Sequence, residues 1–239
     1  MKKVLILVLT ISILPLSAFN ENQLDQLKKT KQCSNCDLAN AKLEGVDLAN
    51  ANLSGANLKE AILEGANLSG AYLKGANLEG ANLEGANLRG ATLKSANLKG
   101  ANLEGANLET ASLKFANLDV AYLEGANLKG ANLRGASLKI AYLKRANLKR
   151  VNLGYANLEG AYLVNSNLKG ASLMGANLRR ANLQKSNLRR INFEGVNLEG
   201  ANLEGASINR SYFKDVNVKN VIPPHSVTCN DLDCLLRKK

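Results

Sequence analysis

The residues of this 239-residue chain that could do chemistry are four cysteines, one histidine and a set of evenly spaced carboxylates. Cys33 and Cys36 have the Cys-x-x-Cys spacing of a redox pair, a zinc half-site or a short disulfide. No thioredoxin-like βαβ pattern surrounds them, and the only histidine, His225, stands alone far downstream. A second pair, Cys229 and Cys234, lies near the other end. Glu44, Glu64, Glu84, Glu104 and Glu124 recur every twenty residues and could attract cations, but a solvated ladder of one charge is looser than metal ligation requires. Nothing in the pattern desolvates these glutamates or pairs them as acid and base. Ser166, Ser186 and Ser211 stand where small residues otherwise stand, with no base in phase. No catalytic constellation, cofactor or metal site is expected, which leaves disulfides and surface binding.

One repeat positions all of these residues. From Cys36 to Asn220 the chain divides into 37 five-residue units without an insertion or deletion, such as Ala51-Asn-Leu-Ser-Gly55 and Ala126-Asn-Leu-Lys-Gly130. The third position is Leu from Leu38 to Leu188, the first is nearly always Ala, the second mainly Asn and the fourth mainly Lys, Glu or Arg. The fifth is Gly in 19 units. Only 4% of the residues are aromatic and none is Trp, so the core must be filled by Leu and Ala. This is the pattern of one elongated, quasi-one-dimensional stack.

A period of five fits neither the 3.6 of a helix nor the 2 of a strand, so the chain must turn once per unit. Alternation over the first three positions sends Ala and Leu to one side and Asn to the other; Gly at the fifth suits a corner. The charged fourth position tells how many units close a turn. Every twentieth residue from Lys59 reads Lys59, Glu79, Lys99, Asp119, Lys139, Glu159, Arg179, Glu199, alternating throughout. Other columns sort by sign, the five glutamates above in one and Lys74, Lys94, Lys114 and Arg134 in another. Tyr122, Tyr142 and Tyr162 recur at twenty as well. Four units per coil, stacked about 4.8 Å apart, is the period that sorts the charges.

On these units the chain resembles the pentapeptide-repeat family, whose motif is Ala-(Asp/Asn)-Leu-x-x. The resemblance implies an all-β fold, a right-handed quadrilateral β-helix with four flat faces and with Leu and Ala inward. About nine coils would make a rod roughly 44 Å long. The family includes acidic members that resemble duplex DNA and bind DNA gyrase. Here the second position is Asn rather than Asp and the net charge is +11, both of which argue against DNA mimicry.

The ends complete the domain plan. Residues 1–18 have a basic start, an apolar run and a small-residue end, the pattern of a secretory signal cleaved after Ala18. Removal of Lys2 and Lys3 would lower the charge to +9. Residues 19–35 should form a helical cap with Leu24 and Leu27 at helical spacing. The β-helix should run over 36–220, and 221–239 should form a second cap, with a short amphipathic helix from Asp231. Export permits disulfides, and a stack this long excludes bonds between its ends, so Cys33–Cys36 and Cys229–Cys234 are the expected pairs.

Two surfaces stand out. Val120, Tyr122, Ile140, Tyr142, Tyr162 and Val164 fall on one face, and an outward apolar cluster marks a contact. Lys129, Lys149, Arg150, Lys169, Arg189, Arg190 and Arg210 fall along one edge, where phosphates, anionic lipid or acidic glycans would be attracted. The glutamate column and the Lys74–Arg134 column lie on opposite sides, so rods could associate side by side, or else end to end. The expected function is that of an exported, non-enzymatic scaffold, periplasmic or extracellular in a bacterium. It would bind a protein or an anionic envelope component, without a stable membrane span and without nucleic acid as its expected partner. The alternative is a modulator or inhibitor of a nucleic-acid enzyme, or direct polyanion binding.

Overall fold

The computed structural model describes residues 20–224. The predicted signal and the predicted C-terminal cap helix with Cys229 and Cys234 fall outside this range. The chain winds into a four-sided coil in which every bridge is parallel and joins residues twenty apart, from Gln32↔Asn52 to Asn202↔Ile222. We number the sides by chain order. Side I holds units 36–40, 56–60 and onward; side II, 41–45, 61–65 and onward; side III, 46–50 and onward; side IV, 51–55 and onward.

Four backbone hydrogen bonds per unit explain why the coil closes, one of them from the fifth residue, whose N–H reaches the next coil as Glu60 does to the Glu79 carbonyl at 2.9 Å. The Leu58 N–H donates to the Asn77 carbonyl at 2.7 Å, and the Asn77 N–H donates to the Ala56 carbonyl at 2.9 Å, so successive coils are tied in both directions. At each corner the next Ala N–H donates back to the Leu carbonyl, as Ala61 does to Leu58 at 3.1 Å. That four-residue turn needs positive φ at its third residue, the geometry of a type II turn. Gly85 meets this at φ +62. Non-glycine residues are held there too, including β-branched Val120 at φ 53 and Ile140 at φ 56.

Inside, the Leu and Ala columns are almost wholly buried from Leu38 to Leu203. Each buried Leu contributes about 1.5–3 kcal/mol relative to an exposed one. Outside, the Asn side chains form ladders of their own. Asn77 Nδ2 donates to Asn57 Oδ1 at 3.2 Å and Asn97 Nδ2 to Asn77 Oδ1 at 3.1 Å. Each Asn Oδ1 also accepts from the N–H two residues on, as from Glu79 at 3.3 Å, which fastens the start of the corner. Ser166 and Ser186 donate their hydroxyls to the Leu163 and Leu183 carbonyls at 2.6 and 2.7 Å. Both are therefore satisfied structural groups.

The ladder begins at Gln32, inside the segment predicted as the N-terminal cap. Above it lies α1, Glu21–Thr30, shorter than the predicted cap. Asn20 caps its start by accepting from the Gln23 N–H at 3.3 Å. At its end Lys31 takes a left-handed conformation and donates its N–H to the Leu27 carbonyl at 2.8 Å. Leu24 and Leu27 press onto the first coil. Cys33 and Cys36 are disulfide-bonded and both buried, with Cα atoms 5.3 Å apart. Near the other end Phe193 stacks on Phe213, with ring centroids 4.6 Å apart.

Candidate interaction surfaces

Because every coil repeats the same twenty residues, an outward side chain has its neighbours fixed by register. On side II, Tyr122, Tyr142 and Tyr162 stack face to face, with ring centroids 5.0 and 5.1 Å apart and planes within 5° of parallel. Val120 and Ile140 sit at the corner leading into side II, and Val164 at the corner beyond Tyr162. Ile140 is 47% exposed and the tyrosines 38–45%. A β-branched residue with φ above zero is strained by about 1–2 kcal/mol relative to its ordinary conformations. Val120 and Ile140 hold this backbone beside the tyrosine ladder.

The predicted basic edge is the corner between sides III and IV. Lys129, Lys149, Lys169 and Arg189 follow one another in consecutive coils, with Arg150, Arg190 and Arg210 at the adjoining turn position. Lys129 is occupied by Glu109 at 2.9 Å. From Lys149 to Arg189 no acidic residue shares that column. The Lys129 hydrogen bond holds the Glu109 carboxyl below the usual glutamate range.

The alternating column at the corner between sides I and II is stacked as its period demands. Among the described residues its ion pairs close only around Arg179, at 3.0 Å to Glu159 and 3.8 Å to Glu199. Lys59 turns instead to its neighbour Glu60 at 3.8 Å. The glutamate column ends where Lys144 meets Glu124 at 3.2 Å. It stands diagonally across the rod from Lys74, Lys94, Lys114 and Arg134.

A feature absent from the sequence-based expectations lies at the corner between sides IV and I. Phe115 and Tyr155 replace the corner Gly two coils apart, with Gly135 between them. Both have positive φ and are more than half exposed, 59% and 53%. Arg134 places its guanidinium over the Tyr155 ring, 5.3 Å from the centroid. With Lys114 these residues line a cleft of about 420 Å³. The available signal was an aromatic residue in the fifth position at two sites forty residues apart, with Gly one coil beyond each. Among the described residues no group of three or more His, Cys, Asp or Glu side chains is placed to hold a metal ion. Nor does any described helix have the length and apolarity to cross a membrane.

Fold and surface together define a solenoid of five-residue units. The family model for pentapeptide repeats matches segments 32–70, 71–109, 101–139, 141–180 and 176–215, and the chain belongs to that family. Among solved structures it is similar to HetL from the cyanobacterium Nostoc sp. strain PCC 7120, a protein involved in regulating heterocyst differentiation. Identity is 34% over 87% of this chain and 97% of that one, with a TM-score of 0.53. QnrB1, a plasmid-mediated fluoroquinolone resistance protein, matches at 18% identity over 80% of this chain and 87% of its own, with a TM-score of 0.51; this likeness is one of fold. No curated protein matches significantly. The right-handed quadrilateral β-helix of these structures is the fold described above, with α1 added before its first coil among the described residues. Two nearly fixed positions in every five are enough to raise identity between any two such rods, so the matches speak to the repeat rather than to a shared partner.

Proposed function

We propose that the protein is a non-catalytic scaffold that binds a partner protein through the tyrosine side. The observation that carries this reading is the stacked Tyr122–Tyr142–Tyr162 ladder, flanked by Val120 and Ile140 in left-handed backbone. The repeats offer flat sides, and HetL, named for a regulatory role, is a precedent for a repeat rod of similar length acting in a cell. Tyrosine supplies a large amphipathic contact area with little rotamer entropy to lose, which favours it at protein interfaces.

The site of action in this reading is outside the cytoplasm, supported by the basic, apolar and small-residue order of residues 1–18 and by a disulfide at the first coil. The test compares the mature protein with a triple variant, Tyr122→Asn, Tyr142→Asn and Tyr162→Asn, as baits against envelope fractions. Asn already fills that column at Asn82, Asn102 and Asn182, so the variant keeps the coil. Loss of a partner with the variant is expected, whereas equal recovery of every partner removes this side from consideration.

A second reading, polyanion binding by the Lys149–Arg189 edge, is favoured by the absence of acidic residues from that stretch of its column. Retention on anionic but not neutral vesicles, lost at high salt, is what it requires.

A further inference from the structure

We infer that the corner cleft between Phe115 and Tyr155 is a binding site for a flat aromatic anion. Its ring would lie between the Phe115 and Tyr155 side chains, and its charged group would pair with Arg134 and Lys114. This site lies on a different corner from the tyrosine ladder and stands independently of the proposed scaffold role.

The cleft is built by a defined set of substitutions in an otherwise uniform corner. Phe115 leans along the rod so that its ring covers Gly135, with ring carbons 2.6 and 2.7 Å from where a Cβ would stand. Tyr155 covers Gly175 in the same manner, at 2.8 Å. Each aromatic thus depends on a glycine one coil further on, whose bare backbone makes room for its ring, and the cleft lies between the two rings. Stability does not account for the pair. Both hold left-handed backbone, which glycine would adopt with less strain, and both leave more than half of their surface in water.

The charges point to an anion. Lys74, Lys94, Lys114 and Arg134 occupy four consecutive coils of one column, and no acidic residue interrupts that column between Lys74 and Arg134. Arg134 is already stacked on Tyr155, which orients its planar fork for a carboxylate or phosphate. The volume, about 420 Å³, falls in the range of small-molecule sites, and aromatic walls with a few convergent polar groups are their usual chemistry. A neutral ring would leave the cations unused, and a simple inorganic anion would leave the rings unused.

The test is calorimetric binding to the full protein with four probes: 2-naphthoate, its neutral alcohol, adenosine monophosphate and inorganic phosphate. The first and third carry ring and charge together and distinguish a carboxylate from a nucleotide phosphate. The expected result is saturable binding of at least one of them, with the alcohol and phosphate at least tenfold weaker. Phe115→Gly, Tyr155→Gly and Arg134→Gln should each weaken it tenfold or more. Gly is the commonest residue at this turn position, so the first two variants keep the fold, which a preserved cooperative thermal transition verifies. Tyr122→Asn should change nothing. Failure of both ring-bearing anions at about millimolar concentration, equal affinity for inorganic phosphate, or unchanged binding by the two glycine variants would each overturn the assignment.

Discussion

Asn57 donates its side-chain amide to Asp37 at 2.8 Å, and Asn67 donates to Asp47 at the same distance two sides further round. The donors in these ladders point from each coil to the one before it, so the first rung only accepts. A carboxylate serves there; in the middle of a ladder it does not, because a middle rung must donate as well. This accounts for Asp at the start of two ladders and for Asn at the later rungs, apart from Ser137 in one and Ser207 in the other.

Asn97→Asp should therefore be destabilising where Asp37→Asn is not. Asn97 donates to Asn77 at 3.1 Å and to Glu79 at 3.1 Å, and a carboxylate would face both oxygens without a proton. The expected cost is about 1–3 kcal/mol at neutral pH. It should shrink below about pH 4, where a protonated Asp donates again. Thermal midpoints of the two variants at pH 7 and pH 3 check this.

Gly135→Ala should be costlier than Gly85→Ala. Both have positive φ, which costs about 1 kcal/mol for an L residue, but an added methyl at Gly85 meets nothing within 4 Å while one at Gly135 meets the Phe115 ring. In a Phe115→Gly background the excess should vanish. A double-mutant cycle by denaturant unfolding reads the difference directly.

Acid should loosen the first coil and the middle of side III. A hydrogen bond from the Lys31 ammonium holds the Asp47 carboxyl below its ordinary value, and Lys129 does the same for Glu109. Lowered folded values mean that these contributions are complete above the unfolded values of 3.8 and 4.5 and are lost as pH falls through the lower folded ones. Asp47 is exposed and Glu109 partly so, so the effect is modest and should fade with salt. A double variant, Asp47→Asn with Glu109→Gln, should show a flatter fall in thermal midpoint between about pH 5 and pH 2 than the parent.

Reduction of the Cys33–Cys36 bond should act on the cap alone. The closed loop is short, and loop entropy gives about 2 kcal/mol for one of four residues. In a stack whose coils contact only their neighbours, that loss stays local. Amide exchange is expected to accelerate in α1 and the first coil on reduction, with rates around Leu103 unchanged.

The fold was legible because a period of five with charges sorted at twenty leaves one register, and that register places Tyr122 between Asn102 in the coil before and Tyr142 in the coil after. Side chains that project straight outward were readable on the same ground. The Phe115–Tyr155 cleft was not, since its rings lean along the rod over Gly135 and Gly175 instead of standing over their own positions. The ion pairs of the alternating column were also hidden: register brings Lys59 and Glu79 to adjacent coils, but a long flexible side chain then chooses among several oxygens, and Lys59 chooses Glu60.

Since each coil takes four units, a change in chain length has two quite different results. Loss of one unit, residues 136–140 for instance, would swing everything downstream by a quarter turn and break Tyr142 away from Tyr122. Loss of twenty residues, such as 76–95, would shorten the rod by one storey and leave every later surface pointing where it did. Such a molecule tolerates being shortened or lengthened by whole storeys, and its docking faces survive only those edits that respect the count.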